Sequence, residues 1–316
     1  MPTGRQVKKS LGIFCKGREV KYKYIRENSK TYPVNMLCKV LELSRVGYYH
    51  WQKRKLSQRK IEEERVLSLL KKHYELSKGR YGLRRLVNSI RKEGIQVNKK
   101  RVYRLMRKHG IYSRTKKKFK VTTKQKAGSR FSENLLDGKF QASCTNQIWT
   151  SDITYIRTNE GWIYLAIILD IYNREIIGWS LSHRPSAELA ARALTMAIMN
   201  RKPGKGVIFH SDRGSQYTSK NVRNILEHYY FKQSMSGKGN CYDNAITETF
   251  FSTLKKELVY LTKFKTREQA RVEIFEFIEI YYNRQRLHSS LGYLSPIEFM
   301  KNDRNEEQEE IKSDVA

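Results

Sequence analysis

From Ile148 onward the apolar residues stop recurring at helical spacing and fall into alternating strand-length and helix-length runs. Ile148–Ile156, Trp162–Leu169 and Glu175–Leu181 read as three strands, the last two separated by the hairpin signal Tyr172-Asn173-Arg174. Ser186 caps an alanine-rich helix over Ala187–Met199. Val207–Phe209 then reads as a short buried strand, Lys220–Tyr230 as a helix, Phe231–Met235 as a strand and Asp243–Leu258 as a helix with Asp243 at its N-cap. The order β-β-β-α-β-α-β-α predicts an α/β domain: a mixed sheet with helices on both faces, over about residues 145–300. A final helix, Arg267–Arg284, has apolar coverage wide enough to be buried against it, and residues 301–316 read as an acidic frayed tail.

What precedes this domain differs in charge as well as in periodicity. Of the formal net charge of +32, residues 1–130 carry 39 Lys+Arg against 8 Asp+Glu, and residues 131–316 carry 24 against 23. An excess confined to one segment predicts a polyanion partner held through phosphate contacts. The basic part lacks a large apolar face, so nucleic acid fits better than a membrane surface. No run approaches the roughly 18 apolar residues of a membrane helix, and the N-terminus lacks a signal-peptide pattern, which predicts a cytoplasmic protein. Cys15, Cys38, Cys144 and Cys241 show neither zinc-ligand nor disulfide spacing and are expected to be free, mostly buried thiols.

Within the basic part, residues 1–30 read as an arm leading into a helix. Residues 31–78 read as a helical module, whose pair at Val34–Leu41 and Val46–Trp51 is either a helix-turn-helix or a packing unit with an aromatic edge. Residues 79–113 are more telling. Leu83, Leu86, Val87 and Ile90 line a first helix, Gly94 stops it, and Asn98 caps a second helix with Val102, Leu105 and Met106 inward. That second helix also carries Lys99, Lys100, Arg101, Arg104, Arg107 and Lys108, the layout of a helix-turn-helix with a basic DNA-facing surface. Residues 114–144 read as a basic linker.

Three acids in the α/β part sit where surface carboxylates are hard to explain. Asp152 lies mid-strand between Thr150 and Thr154, a position that disfavours Asp; the alternative is a satisfied structural acid. Asp212 ends an apolar run at the carboxyl end of a strand, where open α/β sheets bind ligands, although it could equally cap the next turn. Glu248 lies on a polar helical line with Asn244, Ser252 and Lys255, opposite a buried line of Ile246, Phe250, Leu254 and Leu258; a solvated face is the rival reading. Glu257 lies about half a turn away and cannot share the site of Glu248. Three converging acids would repel one another without cations, and oxygen-only ligation suits two Mg²⁺ or Mn²⁺ ions for in-line displacement at phosphorus. Asp170 reads as a structural acid paired with Arg174, His210 as a core histidine, and His288 either as a DNA contact or as packing.

These residues carry a resemblance. Tyr32-Pro-Val, Ser44-Arg-Val-Gly-Tyr-Tyr, the helix-turn-helix at 81–112, Trp149-Thr-Ser-Asp-Ile-Thr-Tyr, Phe209-His-Ser-Asp-Arg-Gly-Ser-Gln-Tyr, Asp243-Asn-Ala-Ile-Thr-Glu-Thr-Phe-Phe and Tyr282-Asn-Arg through Ser295-Pro-Ile-Glu-Phe299 resemble bacterial insertion-sequence transposases of the two-frame type, specifically the downstream-frame (OrfB) product with a retroviral-integrase-like core. That family separates its second acid from its glutamate by 35 residues, as Asp212 and Glu248 are here, and places a base seven residues further on, here Lys255. The resemblance implies a ribonuclease H-like core in which Asp152, Asp212 and Glu248 bind metal and Lys255 contacts DNA. It further implies nicking at terminal inverted repeats, joining to target DNA, a homo-oligomeric synaptic complex, an upstream-frame (OrfA) partner and a nucleoid-associated location. The family's usual Glu-Ser-Phe is Glu248-Thr249-Phe250 here, and the zinc module of retroviral integrases is absent. A nuclease without strand joining and a repressor derived from an inactive transposase are the alternatives.

Overall fold

The computed structural model describes residues 17–54, 57–115, 132–136, 141–237 and 245–314, with side chains described as far as residue 305. The expected N-cap Asp243, most of the 114–144 linker, Cys15 and Cys241 lie outside the described residues. The chain divides into two compact units, residues 1–68 and 69–316.

The first unit contains α1 (Arg18–Asn28), α2 (Val34–Val40) and α3 (Arg45–Lys53). Ser44 caps α3, accepting the Gly47 N–H at 3.4 Å. Ile25, Leu37, Cys38, Leu41 and Tyr48 form its core, with Tyr22 and Trp51 packed against them. Tyr22, Tyr48 and Trp51 pack mutually with centroids 5.5–6.1 Å apart, the aromatic packing edge that was one of the two sequence readings. A long charged helix, α4 (Gln58–Leu76), runs through the division.

The second unit holds both the helix pair α5 (Leu83–Lys92) and α6 (Lys99–Lys108) and the sheet domain. Gly94, in the left-handed region at φ 78°, ends α5, and the Asn98 side chain caps α6 by accepting the Lys100 N–H at 2.8 Å. Leu86, Val87 and Ile90 of α5 and Val102, Leu105 and Met106 of α6 are buried, as the apolar spacing requires.

The sheet has five strands, β1 (Ile148–Thr158), β2 (Gly161–Asp170), β3 (Ile176–Ser182), β4 (Ile208–Ser211) and β5 (Lys232–Met235), in the order β3-β2-β1-β4-β5. β1, β2 and β3 are antiparallel neighbours, and β4 and β5 continue parallel to β1, the ribonuclease H-like arrangement. Arg174, at φ 62°, turns the chain between β2 and β3. One face is covered by α7 (Ala187–Arg201) and α8 (Lys220–His228), whose core with the sheet includes Trp149, Ile168, Leu194, Phe209 and Leu226. Gly178 is required here: a Cβ at that position would stand 2.3 Å from the Ala193 carbonyl oxygen, so glycine and an alanine-lined helix let α7 lie directly on β3.

The other face receives α9 (Ala245–Leu254), which passes into a π-helical turn, Lys255–Val259, and α10 (Arg267–Phe275), which passes into a second, Glu276–Tyr282. The expected single helices therefore exist but change winding in their last turns. A larger difference is at the C-terminus. Instead of a frayed tail, α11 (Pro296–Asp314) runs to the end of the described chain. Ser295 and Glu298 form a reciprocal capping box, the Ser295 N–H donating to the Glu298 carboxylate at 2.9 Å and the Glu298 N–H to the Ser295 hydroxyl at 3.3 Å, with Pro296 at the first helical position. The Glu, Gln and Lys residues that follow are good helix formers, so high charge does not by itself unwind them.

Candidate active site

Backbone pairing brings the first two acids together. The parallel ladder between β1 and β4 ends with Ser151 opposite Ser211, and the next residue on each strand is an aspartate, Asp152 and Asp212. Adjacent strands lie roughly 4.8 Å apart, so two acids distant in sequence become lateral neighbours. Behind them the ladder is closed: the Ser151 hydroxyl donates to the Ile167 carbonyl at 2.8 Å and lies 2.8 Å from the Tyr217 hydroxyl. His210 is fully buried with Nδ1 2.9 Å from the Ser234 hydroxyl, a core histidine as its position suggested.

Both carboxyls are held by local backbone N–H groups: Asp152 Oδ1 accepts from Ile153 at 2.7 Å and Asp212 Oδ1 from Gly214 at 3.0 Å. That is too little to offset their surroundings. Burial raises Asp152 to about 8, with the negative charges of Asp212 and Glu248 adding to the rise and Lys255 opposing it. Burial also raises Asp212, where the Gly214 N–H is the opposing influence. The Tyr217 hydroxyl, buried and within the field of both, is raised well above its ordinary value, first by burial and then by the two aspartates.

Helix α9 brings the third acid. The Thr247 hydroxyl donates to the Thr150 hydroxyl at 3.0 Å, fastening the first turn of α9 to β1, while Phe250 and Leu254 are buried beneath. Glu248, the next residue along, is exposed near Asp152. Lys255 extends to the same place, its Nζ 5.6 Å from the centre of the Tyr155 ring. The structure thus draws Asp152, Asp212, Glu248 and Lys255 into one neighbourhood. Among the described residues, however, no three His, Cys, Asp or Glu side chains are close enough to form a ready-made metal cage.

The other sequence-derived positions separate cleanly. Asp170 is a structural acid, accepting the backbone N–H groups of Asn146 at 3.0 Å and Tyr172 at 3.1 Å. The cation that acts on it is Arg201, which descends from α7; the side chain of Arg174, expected as its partner, is not paired with it. His288 packs edge-on against Tyr282 at 4.7 Å and is buried beside Arg286 and Arg85, with its pKa pushed down to about 2 by burial and those guanidinium groups. It is a packing residue. On α6, Lys99, Lys100, Arg104, Arg107 and Lys108 are exposed and Arg101 is half-buried. Of the two described cysteines, both are free; Cys38 is buried and Cys144 is exposed.

One residue exceeds its sequence reading. Glu257 does not share the site of Glu248, yet neither does it face solvent: it is buried and surrounded by partners. Its carboxylate accepts from Arg286 Nη2 at 2.9 Å, from Arg286 Nε at 3.1 Å and from the Tyr281 hydroxyl at 2.8 Å, and Arg85 Nη1 of α5 lies 3.4 Å away. Its backbone carbonyl accepts from Arg80 Nε at 3.0 Å. Burial would raise Glu257, but Arg286 and Arg85 outweigh it and hold the carboxyl below its ordinary value. Around this hub Tyr81 donates to the Gln285 carbonyl at 2.8 Å, and Arg85 Nε to the Leu287 carbonyl at 2.9 Å, so the start of α5 is tied to the sheet domain. No local pattern signals it, because Arg85 and Glu257 are 172 residues apart.

Comparison with known proteins extends over most of the chain. The integrase core domain family matches residues 142–241 and a second integrase core family residues 248–303, and an HTH-like domain family matches residues 61–119. The chain is 42% identical over 263 residues to an uncharacterized 31 kDa protein of insertion element IS600 from Shigella sonnei, covering 83% of this chain and 97% of that one. It is 41% identical over 282 residues to the transposase InsF for insertion sequence IS3A of Escherichia coli (strain K12), covering 89% and 98%. Among solved structures it is similar to the HTLV-2 integrase catalytic core domain in complex with magnesium, at 14% identity and a TM-score of 0.39, over 50% of this chain and 99% of that one. With relatives above 40% identical along almost their whole length, the chain belongs to the insertion-sequence transposases with an integrase core.

Proposed function

We propose that Asp152, Asp212 and Glu248 are the catalytic acids of a transposase that nicks the 3′ ends of its element at terminal inverted repeats and joins them to target DNA. The observation that carries this reading is the end of the β1–β4 ladder, which puts Asp152 beside Asp212, within the field of Glu248 and Lys255. The donor set fits a hard divalent cation: oxygen ligands only, and an aspartate that burial, reinforced by the charges of Asp212 and Glu248 and opposed by Lys255, raises to about 8. When bound there, two Mg²⁺ or Mn²⁺ ions would supply an activated water or 3′-hydroxyl and stabilise the leaving oxygen.

The chain's own residues supply the rest. Asp152 on β1 and Asp212 just past the end of β4 would hold the ions. Glu248, exposed on the first turn of α9, would add the third carboxylate. Lys255, one helical stretch beyond, offers its ammonium to a DNA phosphate beside the acids. Lys99, Lys100, Arg101, Arg104, Arg107 and Lys108 of α6 hold the inverted-repeat DNA, and the Glu257 hub keeps that helix pair in fixed relation to the acids. The protein acts as a homo-oligomer on DNA in the bacterial cytoplasm, at the nucleoid, together with the upstream-frame (OrfA) product. Among the described residues no helix is long and apolar enough to cross a membrane.

The test is incubation of the protein, with and without the upstream-frame product, with labelled inverted-repeat DNA and Mg²⁺. Joined products that vanish in Asp152→Asn, Asp212→Asn and Glu248→Gln support the assignment. Cleavage without joining would make the protein a nuclease, and joining that survives all three substitutions would overturn the site.

A further inference from the structure

Among the described residues, β1 has no strand partner on the β4 side beyond Ser151, because β4 ends at Ser211. The open edge carries Asp152 on one face of the sheet and Tyr155 on the other, roughly 10 Å further along the strand. Lys255 reaches both: its charge acts on Asp152, and its Nζ lies 5.6 Å from the Tyr155 ring centre. Tyr155 in turn meets Trp162 of β2, with ring centres 5.2 Å apart and planes at 84°. Arg157 lies over Trp162 with its guanidinium carbon 5.9 Å from the ring centre. Two aromatic rings, each 44% exposed, therefore lie across the open edge of β1 from the acid site, with a cation at either end.

Exposed aromatic pairs on neighbouring strands can exist to close a hairpin. This hairpin is already closed. The Thr158 hydroxyl donates to the Gly161 carbonyl at 2.8 Å, the Asn159 N–H donates to the Phe264 carbonyl at 3.1 Å, and the Arg267 N–H donates to the Glu160 carboxylate at 2.8 Å. The rings are thus surplus to the turn and held on a rigid support. Alternating aromatic faces and cations are what a single strand of nucleic acid requires, the rings for bases and the cations for phosphates. A paired duplex offers no base face at its sides, so the ring pair suits a base that has left its partner.

We propose that Tyr155 and Trp162 form a stacking platform for an unpaired nucleobase of the DNA end, with Lys255 and Arg157 binding the flanking phosphates. The platform holds the end open beside the acids so that the reacting phosphate can reach them. This rests on the proposed phosphoryl-transfer site, and the experiment separates the two.

The full-length protein is titrated, without metal, into two DNA ends of the same sequence, one blunt and one with two unpaired terminal nucleotides, each carrying 2-aminopurine at the end. Wild-type protein is expected to bind the unpaired end roughly tenfold more tightly and to quench its fluorescence by stacking. Tyr155→Ala with Trp162→Ala should lose both the preference and the quench, and Tyr155→Phe with Trp162→Phe should retain them. Asp152→Asn, which tests the acid site through loss of joining, should keep the binding preference, so either idea can fail alone. Equal wild-type affinity for the two ends, or quenching that persists without the rings, overturns the platform. So does a change of oligomeric mass by light scattering in the alanine variant with the preference intact, which would make the rings a protein interface. Should the alanine variant not fold, the wild-type comparison of the two ends decides.

Discussion

Asp152, half-buried, and Glu257, buried, are both acids drawn away from water, and the molecule treats them in opposite ways. Glu257 meets two guanidinium groups and a tyrosine hydroxyl, and its carboxyl is held below its ordinary value. Asp152 meets another aspartate, the field of a glutamate, one backbone N–H and the more distant charge of Lys255, and burial with the two acids raises it to about 8. A protein that needed Asp152 only for structure could have answered it with an arginine, as it answered Glu257. The difference separates an acid satisfied from within from an acid that awaits a positive charge from outside.

The comparison can be broken in several places, and the largest effect lies in the chemistry. Asp152→Asn or Asp212→Asn should lower strand joining at least a thousandfold, on the order of 4 kcal/mol of barrier, while leaving the fold intact. For Asp152 the sign on stability is the reverse of an ordinary salt-bridged acid. Its folded pKa lies above its unfolded value, so the favourable contribution is complete only below about 3.8 and is lost as pH rises through about 8. The asparagine variant should therefore show a metal-free Tm at neutral pH equal to or above that of the wild type, and should lose any stabilisation by added Mg²⁺. A lowered Tm would mean that Asp152 is structurally satisfied after all.

Glu257→Gln should do the opposite. Removing one member of a buried pair leaves Arg286 without its charge partner, at a cost of about 3 kcal/mol or more by denaturant titration. Activity should fall only in proportion to the folded fraction. If joining is lost in protein that remains fully folded, the hub has a role in the reaction as well as in holding α5 to the sheet domain.

A smaller effect belongs to His288. Held neutral in the fold with its pKa at about 2, it binds a proton more readily when unfolded, near 6.5. Stability should fall below pH 6.5 by up to about 1.4 kcal/mol per pH unit from this group, and His288→Asn should flatten that slope. The smallest effect is expected at the Lys92–Glu298 pair, where both side chains are over a third exposed: Lys92→Ala should change stability by under about 1 kcal/mol, and less at high salt.

What could be read from the sequence followed from local order. Two-residue alternation exposed Asp152, an apolar run ending in Asp212 marked a strand terminus, and the 3.6-residue period put Phe250 and Leu254 inward and Glu248 outward. Each of those inferences used neighbours within a few residues. Glu257 was legible only as far as its separation from Glu248, because its burial depends on Arg286 and Arg85, one from beyond the next helix and one from the helix pair that precedes the sheet. Asp170 shows the same limit: a nearby Arg174 was the obvious partner, but the cation that acts on it is Arg201 of α7. The continuation of α11 was hidden for another reason, since an acidic run reads the same whether solvated as coil or as helix.

The pairing of β1 with β4 has a consequence for how such a protein can vary. Asp152 and Asp212 owe their adjacency to a lateral ladder rather than to the length of chain between them. The hairpin, the β3 edge and α7 could be lengthened, shortened or exchanged in a descendant while the two aspartates stayed in step. A one-residue slip of either strand, by contrast, would turn one aspartate to the opposite face. Tolerance to insertion and intolerance to register error thus coexist in one stretch, with the boundary between them at Ser151 and Ser211.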